Sequence, residues 1–143
     1  MLVKQISVFL ENKSGRLADV TRTLADNSIN ICAMSIADTT DFGILRLIVN
    51  KPEDAERFLS EQQFTVSCTS VIAIGVEDKP GGLAKALDIL QDNGISIEYM
   101  YAFVGKTGNE AFVILRVENP ETAIETLLKY GIEILPSDKI YCA

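Results

Sequence analysis

Glu11-Asn12-Lys13-Ser14-Gly15-Arg16-Leu17-Ala18 returns 66 residues later as Glu77-Asp78-Lys79-Pro80-Gly81-Gly82-Leu83-Ala84. At the same offset Asn27-Ser28-Ile29-Asn30-Ile31 meets Asn93-Gly94-Ile95-Ser96-Ile97. Further along, Arg46-Leu47 matches Arg116-Val117, and Pro52-Glu53-Asp54-Ala55 matches Pro120-Glu121-Thr122-Ala123. The offset drifts only where the second copy carries the longer stretch Gly105-Lys106-Thr107-Gly108-Asn109. A repeat of this length, found twice, makes one supersecondary unit written two times. It divides the chain into residues 1–69 and 70–143.

Each copy predicts the same elements. Val3 to Leu10 and Val71 to Val76 are β-branched, apolar runs of strand length. A glycine turn follows, then a helix whose apolar positions (Leu17, Val20 and Leu24; Leu83, Leu87 and Leu90) recur with helical spacing. Asn27 and Asn93-Gly94 are expected to end these helices as residues tolerant of left-handed φ. Second strands are expected from Ile29 and Ile95, and turn-rich loops at 39–41 and 105–109 lead into third strands. Pro52 and Pro120 open second helices at their first turn, where a missing N–H costs little. Phe58 and Leu59, or Leu127 and Leu128, supply the apolar faces. Phe64–Cys68 and Ile132–Leu135 read as last strands. The order βαββαβ is an α+β, ferredoxin-like split βαβ unit, with an antiparallel sheet and both helices on one face. A unit this small buries modest surface alone, so the two are expected to pair side by side. Ser67 to Ser70 is the only polar gap between the copies.

Composition removes much ordinary enzymology. The 143 residues carry 13 Lys+Arg, 20 Asp+Glu and no His, for a net charge of −7. Without imidazole there is no Ser-His-Asp or Cys-His pairing and no histidine metal ligand. No nucleophile–base pair or metal cluster is visible, so no catalytic residue, metal or cofactor is assigned. A pI near 4.6 argues against nucleic acid or an anionic membrane as partner. Cys32, Cys68 and Cys142 are odd in number and widely spaced, which reads as reduced thiols in a cytoplasmic protein. The first ten residues alternate in polarity like a strand and do not read as a signal peptide.

Asn12-Lys13-Ser14-Gly15-Arg16-Leu17 through Ser28-Ile29-Asn30-Ile31, and Asp78-Lys79-Pro80-Gly81-Gly82-Leu83 through Gly94-Ile95-Ser96-Ile97, resemble the ACT domain. That family's signature is a D/N-x-P-G-x-L turn opening a helix, followed about a dozen residues later by G-x-N-I at the second strand. The resemblance covers both halves. It implies a non-catalytic regulatory module that binds an amino acid near the first strand–helix turn, at an ACT–ACT interface. With no catalytic domain in this chain, it also implies a separate amino-acid-metabolism enzyme as partner, and it allows a homo-oligomer.

The residues themselves support a site there. A strand running into a glycine turn leaves early helical N–H groups unpartnered, and the helix dipole favours a carboxylate beside them. In the first copy those groups belong to Gly15, Arg16 and Leu17. Asn12 and Asn30 offer oxygen acceptors to an ammonium group and N–H donors to a carboxylate. The resemblance implies effector contact at this Asn pair, as in serine-binding members, while Ser14 departs from the usual Pro. The expected first-copy site is therefore Asn12, Ser14, Gly15, Arg16, Leu17, Asn30 and Ile31. In the second copy it is Asp78, Pro80, Gly81, Gly82, Leu83, Ser96 and Ile97. Asp78 favours an ammonium and disfavours a carboxylate, so the two sites are not equivalent; aspartokinase regulatory domains carry a similar Asp-x-Pro-Gly turn.

Blander readings stand beside these. Leu17 and Leu83 fit the core, and Asn12 and Asn30 fit local Asx turns. Tyr99, Met100, Tyr101 and Phe103 fit packing or a pocket wall. Gly105-Lys106-Thr107 lacks the leading glycine and following helix of a phosphate loop and reads as a hairpin. The alternative function is a tandem ACT pair without ligand, serving as an assembly subunit of an enzyme complex.

Overall fold

The computed structural model describes residues 2–11, 14–38, 42–103 and 110–141. Its elements, in order, are β1 (Val3–Glu11), α1 (Arg16–Asp26), β2 (Ile31–Asp38), β3 (Phe42–Val49), α2 (Pro52–Glu61), β4 (Thr65–Glu77), α3 (Gly82–Asp92), β5 (Ile97–Ala102), β6 (Glu110–Val117), α4 (Pro120–Lys129), β7 (Glu133–Ile134) and α5 (Ser137–Ile140). They form two compact units: Lys4–Thr69 with Tyr141–Ala143, and Met1–Val3 with Ser70–Ile140.

In the first unit the strand order is β2-β3-β1-β4, and in the second β5-β6-β4-β7. These orders are the antiparallel ferredoxin-like arrangement expected for each copy. Registers are regular: Ile6 faces Leu47 and Val8 faces Leu45 in the first unit, Ile72 faces Leu115 and Ile74 faces Val113 in the second. Alternate residues therefore share a face. Ile6, Val8, Leu45 and Leu47 pack with Val20 and Leu24 of α1 and Leu59 of α2. Ile72, Ile74, Val113 and Leu115 pack with Leu90 of α3 and Leu127 of α4.

Several local expectations are corrected. The last strand of the first copy and the first strand of the second are one continuous strand, β4, thirteen residues long. The polar run Ser67–Ser70 lies inside it. β2 and β5 begin at Ile31 and Ile97, two residues later than expected. Asn27 and Asn93 do end α1 and α3 as their C-caps, but with ordinary φ near −107° and −104°. The left-handed residues are Ser28 and Gly94 (φ 57° and 71°). Each Asn instead bonds its side-chain amide to the preceding turn, Asn27 to Thr23 O and Asn93 to Ile89 O, both at 2.8 Å. Leu17 and Leu128 are exposed, at 38% and 49%. Cys32 is disulfide-bonded and Cys68 is a free thiol, so the reading of three reduced cysteines is corrected; pairing depends on where the fold carries the Cα atoms, which spacing does not reveal. The loops expected at 39–41 and 105–109 lie outside the described residues.

Pro52 and Pro120 do open α2 and α4, with Glu53, Asp54 and Glu121 in the first turns, where the dipole favours them. Leu90→Ala, which deletes a side chain only 1% exposed, is expected to lower unfolding free energy by about 2–5 kcal/mol. Leu128→Ala, at the exposed position, is expected to change it by less than about 0.5 kcal/mol. Urea melts of the two variants read the difference.

Candidate functional site

Both strand–helix turns depend on a glycine in the left-handed region. Gly15 (φ 86°) precedes α1 and Gly81 (φ 89°) precedes α3, and neither helix start has a side-chain cap. The first helical bonds then run from Asp19 N–H to Gly15 O (2.9 Å) and from Lys85 N–H to Gly81 O (3.1 Å). The two turns diverge at the next residue. A Cβ on Gly82 would lie 2.0 Å from the carbonyl oxygen of Glu77, so the chain there passes too close to itself for any side chain. The first copy has Arg16 at this place. The Gly82 N–H donates to Lys79 O at 3.0 Å, which leaves Leu83 and Ala84 as the next orphan donors of the helix.

Around the second turn the sheet contributes acid. Glu77 pairs with Glu110 across β4 and β6, and Gly75 pairs with Glu133 across β4 and β7. Gly75 has no side chain, and both glutamates lean over it: a Cβ there would meet Glu133 Oε2 at 3.1 Å and Glu110 Oε2 at 3.5 Å. The hydrogen bond and the like charge of Glu133 push the Glu110 carboxyl above the usual glutamate range. Lys79 lies 2.6 Å from Glu77 and holds that carboxyl low, and Lys139 lies 3.6 Å from Glu133. Gly75, Val76, Glu77, Lys79, Gly81, Gly82, Lys85, Glu110, Gly131, Ile132 and Glu133 enclose a cavity of about 370 Å3. It brings acceptors for an ammonium group (the glutamates) together with a helix start and lysines suited to a carboxylate.

Of the second-copy residues expected at the site, this cavity includes Gly81 and Gly82. Asp78, Pro80, Leu83, Ser96 and Ile97 do not line it; Leu83 packs against the core of its unit. The glutamates were missed because they come from three strands, although the bare Gly75 opposite an acidic residue was a readable sign. In the first copy, Asn12 lies outside the described residues. Ser14 is exposed. The Asn30 backbone exchanges bonds with Asn50, its N–H donating to Asn50 Oδ1 at 2.9 Å and its carbonyl accepting from Asn50 N–H at 3.2 Å. Arg16 lines a different cavity, described below, which Ser14, Gly15, Leu17, Asn30 and Ile31 do not line. Among the described residues no group of three or more acidic or cysteine side chains is arranged to hold a metal ion, and no helix is long and apolar enough to cross a membrane.

A duplicated βαββαβ unit with a left-handed glycine at each first turn makes the chain a tandem pair of ferredoxin-like domains. The chain belongs to the ACT family: the model of the ACT domain pair matches residues 1–141. ACT domains are regulatory, non-catalytic modules. The chain is similar to protein BT0572 of Bacteroides thetaiotaomicron, at 43% identity and TM-score 0.94, over 100% of this chain and 98% of that one. It shares its fold with the ligand-free regulatory subunit of aspartate kinase from Thermus thermophilus (18% identity, TM-score 0.64, 91% of this chain and 94% of that one). The same holds for the corresponding subunit from Thermus flavus (15%, 0.59, 88% and 90%). The search of curated proteins gave no match.

Two outcomes follow from the turn. Gly81→Ala forces an L-residue into the left-handed region and is expected to cost about 1–2 kcal/mol. Gly82→Ala, whose clash is with backbone, is expected to cost more than Gly81→Ala in the same urea melts. A third concerns the carboxyl pair. Because the folded state raises the Glu110 pKa, it binds the proton more tightly than the unfolded chain. This contribution to stability is therefore fully present below the unfolded glutamate value and is lost as pH rises through the raised one. Glu110→Gln is expected to flatten melting temperature against pH in the window just above the ordinary glutamate range, and to raise it at pH 7. A profile unchanged by the substitution would count against the carboxyl contact.

Proposed function

We propose that this chain is a non-enzymatic regulatory protein that binds an amino acid and controls a separate enzyme of amino-acid metabolism. Residues 1–69 and 70–143 act as its two ACT domains. The observation that carries this reading is the cavity at the second turn, where carboxylates and a glycine-opened helix start face the same space. An α-amino acid needs both kinds of partner within a few ångströms. Its ammonium group is matched by Glu110 and Glu133, and its carboxylate by Lys85 beside the start of α3 at Gly81 and Gly82. Fold similarity to aspartate kinase regulatory subunits supports an enzyme as the partner class. The first turn, with Asn12, Ser14, Gly15, Arg16, Leu17, Asn30 and Ile31, is proposed as a second and weaker place for the same ligand class. Control of the partner requires that it prefer the liganded form, since a ligand shifts an equilibrium only by its differential affinity.

A second reading, an assembly subunit without ligand, is favoured by Phe9. It is 41% exposed and stacks on Phe42 at 4.5 Å on the sheet of the first unit. A thermal-shift panel of the common amino acids decides between the two. A ligand at about 100 times its Kd adds about 2.7 kcal/mol of stability. At least one amino acid is expected to raise the melting temperature, and the double variant Glu110→Gln, Glu133→Gln is expected to weaken that response by about tenfold or more. No response across the panel favours the assembly subunit. A response that the double variant leaves unchanged removes the second-turn cavity as the site.

A further inference from the structure

The first unit holds a cavity of about 420 Å3 that runs along α1, lined by Arg16, Asp19, Arg22, Asp26 and Asn27 and bounded by Phe64. Arg16 is set in it with unusual constraint. Its guanidinium carbon lies 4.2 Å over the Phe64 ring, which fixes the plane of the group. Its Nε is buried with no hydrogen-bond partner. The carboxylate beside it, Asp19, stands at 3.8 Å, too far for a hydrogen bond, and is shared with Arg22 at 3.9 Å. The three groups together carry one net positive charge.

The other end of the cavity carries the opposite sign. Asp26 closes α1, ten residues from Arg16 and so about 15 Å along the axis. Both charges oppose the helix dipole: a guanidinium opens the helix, a carboxylate ends it, and the last turn has no basic residue. Neither placement helps the helix. Asn27 spends its amide N–H on Thr23 O at 2.8 Å, which leaves its Oδ1 as an acceptor beside Asp26.

We propose that this groove binds a small molecule with a carboxylate at one end and an ammonium group at the other, the carboxylate against Arg16 and the ammonium at Asp26 and Asn27. A planar, stacked guanidinium suits a carboxylate, and the unpaired Nε–H gains an acceptor when one arrives. The separation of the two charged ends selects ligands longer than an α-amino acid headgroup. This site is in the other unit from the second-turn cavity and shares no residue with it, so the two readings stand or fall separately.

The test is calorimetric titration of the full chain with 8-aminooctanoate, with octanoate and 4-aminobutanoate as controls. 8-Aminooctanoate is expected to bind most tightly of the three. Asp26→Asn is expected to weaken it by about tenfold or more while leaving octanoate unchanged. That substitution removes a charge the helix dipole disfavours, so the variant keeps its fold. Arg16→Gln is expected to abolish binding of both carboxylates, and Arg16→Lys serves if that variant melts early. The proposal is overturned if 8-aminooctanoate fails to bind at about 10 mM, if octanoate binds as tightly, or if Asp26→Asn leaves the affinity unchanged. Glu110→Gln, Glu133→Gln is expected to leave this binding intact, which separates its failure from that of the amino-acid site.

Discussion

Each unit turns on a single backbone constraint: a residue at φ close to +90° between the first strand and the first helix. An L-side chain resists that conformation, and glycine does not. With it, the chain reverses abruptly and lays the helix back across the strand it has just left. Val20 and Leu24, or Ala86 and Leu90, then fall onto the sheet with the spacing the core requires. Without it the helix would begin later and its apolar stripe would be out of register with the strands. The same reversal leaves the early N–H groups of each helix without a side-chain cap.

Duplication kept this backbone and changed what surrounds it. At the position after the left-handed glycine, one copy has Arg16 and the other Gly82. Gly82 allows the helix start to press against the Glu77 carbonyl and opens onto a sheet lined by Glu110 and Glu133. Arg16 instead reaches over Phe64 and faces along its helix. One residue thus changes what the turn presents, backbone at Gly82 and a guanidinium at Arg16.

The fold was legible because the repeat doubled every weak signal. A single Gly turn or a single Pro at a helix start is ambiguous, but Gly15 with Gly81 and Pro52 with Pro120 at matched positions are not. What remained illegible depended on pairing in space. The continuity of β4 through Ser67–Ser70 runs against the polarity of that stretch, which reads as a gap between the copies. The exposure of Leu17 depends on where α1 sits over the sheet, and helical period alone does not fix that. The carboxyl pair escaped notice because Glu110 and Glu133 are 23 residues apart in sequence and meet only over Gly75.

The acidic character of the second unit also acquires a physical sense. Like charges on directly opposed strand positions are destabilising, yet Glu77 faces Glu110, and Glu133 joins them. Lys79 and Lys139 relieve Glu77 and Glu133 from the rim, while Glu110 keeps a raised pKa against its neighbour. On the proposed reading, a cation entering between the carboxylates removes repulsion as well as adding attraction. The proposed α-amino acid would supply that cation as its ammonium group, without the strict coordination geometry a metal ion demands, and would bring its own carboxylate toward the helix start.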